Sequence, residues 1–125
     1  GDDISVIALG AMVPKALAAA KSLAGEGVSV EVVDPRTLRP LDGDTLVASV
    51  RKTGRAVIVH EANTFGGFGG EIAALLADEA FPALKAPIKR IGGKEAPVPV
   101  SPSMERAVVP GENDIVRIAR ELIVA

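Results

Sequence analysis

The residues best suited to chemistry lie together at one polar corner of the chain. His60, the single histidine, and Glu61 directly follow the short apolar run Val57–Val59. An imidazole titrates near neutral pH, so His60 is a candidate general acid or base. The residues that we predict to form an interface or crevice at this corner are His60, Glu61, Asn63, Phe65, Phe68 and Glu71.

A purely structural role accounts for the same residues and is the commoner case. His60 and Glu61 can satisfy backbone groups at a strand end or pack against another domain. Phe65 and Phe68 fit an interface or a core equally well. One histidine and one carboxylate do not make a metal site without further ligands. We therefore assign no metal-binding or cofactor-binding residue and keep His60 as the only candidate for catalysis.

Four of the five residues from Gly66 to Gly70 are glycine, which allows a tight turn ahead of a helix. A phosphate-binding loop would explain these glycines, but the pattern fails. A P-loop continues with Lys and then Ser or Thr, and a dinucleotide-binding loop would need another glycine at Ile72. A receiver domain of the response-regulator kind needs an Asp after the third strand, where this chain has His60.

The composition limits the class of protein. A chain of 125 residues, 48% of them hydrophobic, can close one core and is not disordered. The net charge of −2 argues against nucleic-acid binding, which needs a basic face. No apolar run approaches the roughly 18 residues of a membrane span. Since no secretory signal pattern opens the sequence either, we expect a cytoplasmic protein without a membrane or nucleic-acid partner.

Apolar runs and helix-spaced apolar residues alternate four times along the chain. The predicted strands are Ile4–Leu9, Val28–Val33, Val57–Val59 and Ile88–Gly92. The predicted helices run from about Pro14 to Ala24, with Ala16, Leu17, Ala20, Leu23 and Ala24 facing inward, from Asp42 to Lys52, from Phe68 to about Phe81, and from Glu112 or Asn113 onward. Arg36 and Arg39 either clamp carboxylates or anchor their connection. The segment Lys94–Pro110 is predicted to be a long surface connection with one turn at Ser103-Met104-Glu105.

This alternation is typical of a parallel sheet covered by helices on both faces. We predict a three-layer α/β/α fold with a mainly parallel sheet of four strands in the order 2-1-3-4, because crossovers are right-handed. The winding reverses between the first and third strands, where open α/β sheets bind ligands. The loops that should meet there are Gly10–Met12 and His60–Asn63, with His60 at least partly exposed.

Four segments resemble the C-terminal domain of transketolase-like, thiamine-diphosphate-dependent enzymes. They are Val28–Asp42 with its Asp34-Pro35-Arg36-Thr37-Leu38-Arg39-Pro40-Leu41-Asp42 run, Val59-His60-Glu61-Ala62 with Gly66–Ile72, Ala86–Ile91, and Ala96–Glu105. Together they are most similar to the beta subunit of the decarboxylating component of 2-oxo acid dehydrogenases. The His60-Glu61-Ala62 corner is more similar to the branched-chain and acetoin branches than to the pyruvate branch.

The resemblance implies that residues 1–125 are a single domain cut from a longer beta subunit. The partners it implies are an alpha subunit, a second beta subunit and the dihydrolipoyl acyltransferase. The domain itself would serve beta–beta dimerisation and docking of the acyltransferase, without catalysis of its own. Thiamine diphosphate and Mg²⁺ are expected in the intact enzyme, on other domains, where a 2-oxo acid is decarboxylated and its acyl group passes to lipoyl-lysine.

The family normally has a short antiparallel strand just upstream of Gly1. Without that strand, we expect the edge of the second predicted strand to be open and to favour self-association. Two other functions stay open at this point. One is the equivalent domain of transketolase or of deoxyxylulose-phosphate synthase. The other is a free-standing α/β module that binds a small ligand in the crevice between Gly10 and His60.

Overall fold

The computed structural model describes residues 1–93 and 109–125. In this part of the chain, four parallel strands form one sheet in the order β2-β1-β3-β4, with two helices on each face. The elements in chain order are β1 (Ile4–Ala8), α1 (Met12–Ala24), β2 (Val30–Val33), α2 (Gly43–Thr53), β3 (Ala56–Asn63), α3 (Phe68–Glu79), a 3-10 turn (Phe81–Ala83), β4 (Lys89–Gly93) and α4 (Glu112–Val124). The predicted three-layer fold and strand order are confirmed.

The two central strands are buried on both faces. All five residues of β1 are buried, and burial in β3 continues from Ala56 to His60. β-branched residues make up most of the buried part of both strands, as is usual for parallel strands covered by helices on both sides. Val6 of β1 lies beside Val32 of β2 on one side and beside Val57 of β3 on the other.

The sheet separates two apolar cores. Ile4 and Val6 face α1 and α4, whereas Ile7 and Ile58 face α2 and α3. The helices contribute Met12, Leu23, Ile115 and Leu122 to the first core and Leu46, Val50, Ile72 and Leu76 to the second. Burial of one such side chain contributes about 1.5–3 kcal/mol. Because β3 contributes buried residues to both cores, packing on both faces holds the strand in place and so positions the polar residues at its end.

The boundaries of α2 follow the sequence prediction to within one residue. At its start, the Asp42 carboxylate accepts hydrogen bonds from the amide of Thr45 at 3.2 Å and from the Thr45 hydroxyl at 2.6 Å. At its end, Gly54 takes a φ of 74°. Glycine adopts this left-handed conformation without the steric cost that other residues meet, so the helix stops there.

Some boundaries and faces differ from the sequence predictions. Leu17, predicted to face inward, is 56% exposed, and Ala24 is exposed as well. The helix begins at Met12, before the predicted start, and its buried residues are Met12, Ala16, Ala19 and Leu23, so Ala16 and Leu23 face the core as predicted. None of the helices in the described residues has the length and apolar composition required to cross a membrane.

The third strand and its helix also differ in length from the prediction. β3 continues past the apolar run to Asn63, which pairs with Gly93 of β4 beyond a register shift. α3 ends at Glu79, and Phe81 lies in the 3-10 turn that follows, 70% exposed. The turn predicted at Ser103-Met104-Glu105 lies outside the described residues.

Arg55 connects the start of β3 to both ends of the described chain. Its Nη1 donates to the carbonyl oxygen of Asp3 at 3.2 Å, and its Nε donates to that of Leu122 at 3.1 Å. Asp3 immediately precedes β1, and Leu122 lies in the last turn of α4. Both ends of the chain therefore lie at the amino-terminal edge of the sheet.

Glu31 connects the edge strand β2 to α2 and β1. Its carboxylate accepts hydrogen bonds from Lys52 Nζ and, at 2.6 Å, from Ser49 Oγ. Ser49 Oγ lies 2.7 Å from Ser5 Oγ, which lies 2.8 Å from Thr53 Oγ1. The hydrogen bond from Lys52, followed by that from Ser49, lowers the pKa of Glu31 from 4.5 to about 2.

Candidate functional site

The carboxyl ends of β1, β2 and β3 meet at one edge of the sheet, as the strand order requires. The winding reverses there between β1 and β3, which is where open α/β sheets bind ligands. A cavity of about 390 Å³ opens at this edge, which we call the crevice. Its lining includes Gly10 and Ala11 after β1, Asp34–Arg36 after β2, and His60 and Glu61 at the end of β3. The predicted meeting of these loops is confirmed.

His60 is buried, contrary to the expectation that it is partly exposed. Only 3% of the residue is exposed. Its Nδ1 lies 2.8 Å from the carbonyl oxygen of Ala62. Because a carbonyl oxygen only accepts, Nδ1 carries the proton of this bond, and in the neutral ring Nε2 then carries a lone pair. Among the described residues, Nε2 is a buried atom without a hydrogen-bond partner.

Two glycines account for the burial of this ring. A Cβ atom on Gly67 would lie 2.7 Å from His60 Cε1 and 2.3 Å from the carbonyl oxygen of Asn63. A Cβ atom on Gly69 would lie 2.7 Å from His60 Nε2 and 3.4 Å from Ile58 Cγ2. Distances below about 3 Å do not occur between such atoms without displacement. The glycines therefore let the first turn of α3 close over the imidazole, and this packing explains them without a phosphate ligand.

The other predicted site residues do not form one cluster. Glu61 is exposed and lines the crevice. Asn63 is exposed at the end of β3. Phe65, in the turn before α3, is 84% exposed. Phe68, the first residue of α3, is partly buried and lines the crevice. Of the two readings of the aromatic pair, Phe68 joins the second core and Phe65 does not.

A second cavity of about 930 Å³ lies at the start of α3, and we call it the helix-start cavity. Its lining includes Gly66 and Gly67 of the turn, Glu71 of α3, Arg39 of the β2–α2 connection and Arg90 of β4. Phe68 and Leu38 line this cavity as well as the crevice. Arg90 was not among the predicted site residues. Glu71 was predicted to share a site with His60, but it lines only the helix-start cavity.

The β2–α2 connection holds an unusual backbone conformation beside the crevice. Arg36 has a φ of 64°, in the left-handed region that side chains other than glycine rarely adopt. The amide of Arg36 donates to the Asp34 carboxylate at 2.8 Å, and the amide of Thr37 donates to the carbonyl oxygen of Pro35 at 2.7 Å. The peptide bond between Arg39 and Pro40 is cis. The two hydrogen bonds fold the start of the connection tightly between Asp34 and Thr37.

A metal site does not form from the described residues. No three His, Cys, Asp or Glu side chains converge within residues 1–93 and 109–125. Among the described residues that line the crevice, the side-chain carboxylates that could bind Mg²⁺ are those of Asp34 and Glu61. This set does not fit a divalent cation and the diphosphate that it would accompany.

Comparison with protein families identifies the fold. The family model for "Transketolase, C-terminal domain" matches residues 1–115. The chain belongs to the transketolase C-terminal domain family. The three-layer fold, the strand order and the four segments that resemble this family are thereby accounted for together.

Curated relatives place this member of the transketolase C-terminal domain family more narrowly. The chain is 45% identical over 123 residues to the pyruvate dehydrogenase E1 component subunit beta of Staphylococcus aureus, covering 98% of this chain and 38% of that subunit. It is 47% identical over 120 residues to the subunit of the same name from Staphylococcus epidermidis, covering 96% of this chain and 37% of that subunit. The chain therefore spans well under half the length of these relatives.

Solved structures show the same fold. The chain matches a split-gene transketolase, described as an inactive beta4 tetramer, with a TM-score of 0.84 and 31% identity over 99% of this chain and 39% of that one. It also matches 2-oxoglutarate:ferredoxin oxidoreductase from Magnetococcus marinus with a TM-score of 0.63 over 97% of this chain and 18% of that one. The second match, at 18% identity, is evidence for the fold alone.

Proposed function

We propose that this chain is one domain of a longer beta subunit of the decarboxylating component of a 2-oxo acid dehydrogenase complex. The observation that carries the proposal is the 45% identity to a pyruvate dehydrogenase E1 beta subunit over 98% of the chain. The complex would oxidatively decarboxylate a 2-oxo acid and transfer the acyl group to lipoyl-lysine. The His60-Glu61-Ala62 corner is more similar to the branched-chain and acetoin branches of the family, but the names of the relatives make pyruvate the first substrate to test.

Within this enzyme we assign the domain an assembly role without catalysis of its own. It would pair with a second beta subunit, contact an alpha subunit and dock the dihydrolipoyl acyltransferase. Large apolar side chains on its surface support this role, among them Phe65 at 84% and Phe81 at 70% exposed. Exposed aromatic residues are enriched at protein interfaces. The open side of β2, which ends the sheet of the described residues, is a further pairing surface.

The cofactor of the intact enzyme would be thiamine diphosphate with Mg²⁺, held by other domains. When bound there, it would supply the electron sink for decarboxylation. The described residues of this domain do not fit that group, because their carboxylates do not converge. We therefore assign this chain no step in the chemistry.

The test uses the full-length beta subunit that carries this domain, combined with its alpha subunit. We expect thiamine-diphosphate-dependent reduction of an artificial electron acceptor with pyruvate, and loss of both activity and heterotetramer formation when the domain is deleted. Assembly is measured by sedimentation velocity. Binding of the acyltransferase to the full-length enzyme and to the deleted form separates docking from dimerisation. A deleted form that still assembles, binds the acyltransferase and turns over would contradict the assembly role.

A transketolase-type domain is the second candidate, favoured by the 31% identity and TM-score of 0.84 to the split-gene transketolase. The same reconstituted enzyme distinguishes the two functions. A transketolase transfers a two-carbon unit between sugars and releases no carbon dioxide, whereas the decarboxylating component releases it from a 2-oxo acid. The crevice of about 390 Å³ is the observation that favours the third candidate, a module that binds a small ligand. A small molecule that stabilises the isolated chain, in a protein with neither decarboxylase nor transketolase activity, would support this candidate.

A further inference from the structure

The crevice presents charged groups of both signs. Among the described residues that line it, the charged side chains are the carboxylates of Asp34 and Glu61 and the guanidinium of Arg36. The ion pairs found within residues 1–93 and 109–125 include none of the three. These groups are therefore available to a ligand that carries opposite charges of its own.

Asp34 and Arg36 lie close together because the chain turns tightly between them. The amide of Arg36 donates to the Asp34 carboxylate at 2.8 Å, and the φ of Arg36 is 64°. A carboxylate accepts several hydrogen bonds, so Asp34 can still bind a cation. Neighbouring opposite charges match a ligand whose own opposite charges are separated by a single carbon atom, as in an α-amino acid.

The rest of the crevice lining is mostly apolar. Leu9, Pro35, Leu38 and Phe68 contribute to it, and the cavity measures about 390 Å³. Ligand cavities usually measure about 300–1,000 Å³, so this one is suited to a small molecule. A ligand that fills it therefore has a small aliphatic part beside its charged groups.

His60 provides an independent observation in the same cavity. The residue lines the crevice, and its Nε2 has no hydrogen-bond partner among the described residues. Because Nδ1 donates to Ala62, the neutral ring accepts at Nε2, and a buried acceptor is normally paired. Ionised carboxylates only accept, so Asp34 and Glu61 do not meet this need. A ligand with an N–H donor does.

The first turn of α3 controls access to Nε2. Gly69 lies against this atom, since a Cβ atom on Gly69 would be 2.7 Å from it. A donor therefore reaches Nε2 only after a small displacement of the turn. Phe68, the first residue of α3, lines the crevice, so a ligand there contacts the element that has to move. Binding and this displacement are thus coupled.

We propose that the crevice binds an aliphatic α-amino acid as a zwitterion. Its ammonium group donates to Nε2 of His60 and pairs with Asp34 and Glu61, its carboxylate pairs with Arg36, and its side chain packs on the apolar lining. The site does not depend on the assembly role, and it gives the third candidate function a ligand class. A failure to bind amino acids leaves the outcome of the activity and assembly tests unchanged.

The test titrates the 125-residue chain with leucine at constant ionic strength and about pH 7.5, where an ordinary imidazole is mostly neutral. We expect saturable NMR shifts with a dissociation constant of about 0.1–5 mM. The Nε2 signal of the single histidine should change, because its lone pair accepts a new hydrogen bond. The amides of Gly67–Gly70 should shift with the same dissociation constant.

Three analogues of leucine each lack one feature. 4-Methylpentanoate lacks the ammonium group, 3-methylbutylamine lacks the carboxylate, and glycine lacks the aliphatic side chain. 4-Methylpentanoate should bind at least about tenfold more weakly, because it leaves Nε2 and the carboxylates of the crevice unpaired. The amine and glycine should each bind at least about threefold more weakly.

Two variants and two matched controls decide which charged groups take part. Arg36→Gln and Glu61→Gln should each weaken leucine binding about fivefold or more. Arg39→Gln and Glu71→Gln remove the same charges from residues that line only the helix-start cavity, so each should change the affinity by less than about twofold. Arg36→Gln should leave the binding of 3-methylbutylamine unchanged, because this ligand has no carboxylate.

Three results would overturn the proposal. Shifts that stay linear with leucine concentration would show the absence of a site. An unchanged Nε2 signal, or equal affinity for 4-methylpentanoate, would remove the contact between ammonium and imidazole that selects an amino acid. Equal effects of the crevice variants and their controls would reduce the interaction to general electrostatic attraction. The dispersion of the amide signals of each variant confirms that it remains folded.

Discussion

A Cβ atom on Gly69 would lie 2.7 Å from Nε2 of His60. The buried imidazole and the first turn of α3 therefore occupy adjoining space only because residue 69 is glycine. The single histidine and the glycine-rich turn, the two features that distinguish this region in the sequence, therefore pack against each other. The glycines of the turn are explained by this packing.

We expect Gly69→Ala to lower the free energy of unfolding by about 1–3 kcal/mol, because the added methyl group displaces the ring or the helix. Gly70→Ala is the matched control in the same turn. Its Cβ atom would meet only the flexible Arg90 Nη1, at 3.4 Å. Since alanine is the better helix former, this variant should be neutral or stabilising by up to about 1 kcal/mol.

Urea denaturation of both variants gives these free energies. A double-mutant cycle adds a direct check, since Gly69→Ala should cost less in a His60→Ala background where the ring is absent. Equal costs in the two backgrounds would show that the methyl group collides with something other than His60.

The second prediction concerns acid stability through Glu31. Its folded pKa of about 2 lies below the 4.5 of the unconstrained group. The ionised Glu31 carboxylate therefore stabilises the folded state fully above about pH 4.5, and this stabilisation is lost as the pH falls toward 2. Its size is at most about 3.5 kcal/mol, since one pKa unit corresponds to about 1.4 kcal/mol. Glu31→Gln should lower stability at pH 7 and flatten its decline below pH 4.5.

Stability of this variant is measured by urea denaturation at a series of pH values. Glu121→Gln is the control, because Glu121 is also paired with a cation, Arg117, but is 55% exposed on α4. Exposed pairs contribute about 1 kcal/mol or less, so this variant should follow the wild-type profile. An unchanged acid slope in Glu31→Gln would place the pH dependence in other carboxylates.

The third prediction tests the left-handed backbone at Arg36, whose φ is 64°. Arg36→Val should lower the free energy of unfolding by about 1–2 kcal/mol, because a β-branched side chain is strained in this region. Arg36→Gly should change it by less than about 1 kcal/mol, because relief of strain offsets the added freedom of the unfolded chain. The two variants remove the same guanidinium, so their difference in thermal denaturation isolates the backbone. Equal stabilities would mean that the loop relaxes.

The fourth prediction is that the isolated chain self-associates. β2 is an edge strand of the sheet in the described residues, and edge strands can pair with a second copy. The proposed dimer surface offers a second contact. Sedimentation equilibrium of the chain at concentrations up to about millimolar should show species larger than the monomer. A single monomeric species across this range would contradict the prediction.

The fifth prediction is that the isolated chain does not bind thiamine diphosphate with micromolar affinity. Binding would require converging oxygen ligands for Mg²⁺, and Glu61 and Glu71 instead lie in separate cavities. Isothermal titration with thiamine diphosphate and Mg²⁺ should give no saturable heat near micromolar concentrations. A saturable signal would contradict the prediction and show that this domain itself binds the cofactor.

The sheet was predictable because each central strand is recognisable from its own short stretch of sequence. The apolar runs at Ile4 and Val57 identify buried strands by themselves, and the handedness of crossovers then leaves few strand orders. The end of α2 follows in the same way from Gly54, whose left-handed conformation requires no partner elsewhere in the chain.

The burial of His60 and the position of Arg90 were not predictable, because both depend on packing between distant segments. The sequence shows that Gly67 and Gly69 have conformational freedom, but not that a ring fills the space they leave. Arg90 reaches the helix-start cavity because β4 lies beside β3 in a register that sets Arg90 opposite Ile58. A charged residue on an edge strand gives no local signal of such a neighbour.

The hydrogen bonds of Arg55 to Asp3 and Leu122 have a practical consequence for handling the protein. The two ends of the polypeptide emerge side by side, at the opposite edge of the sheet from the crevice. A tag, a fluorophore or a neighbouring domain fused at either end will therefore leave both cavities unobstructed. The same proximity makes a circular permutant feasible, in which a short linker joins the ends and new ones are cut in a surface loop.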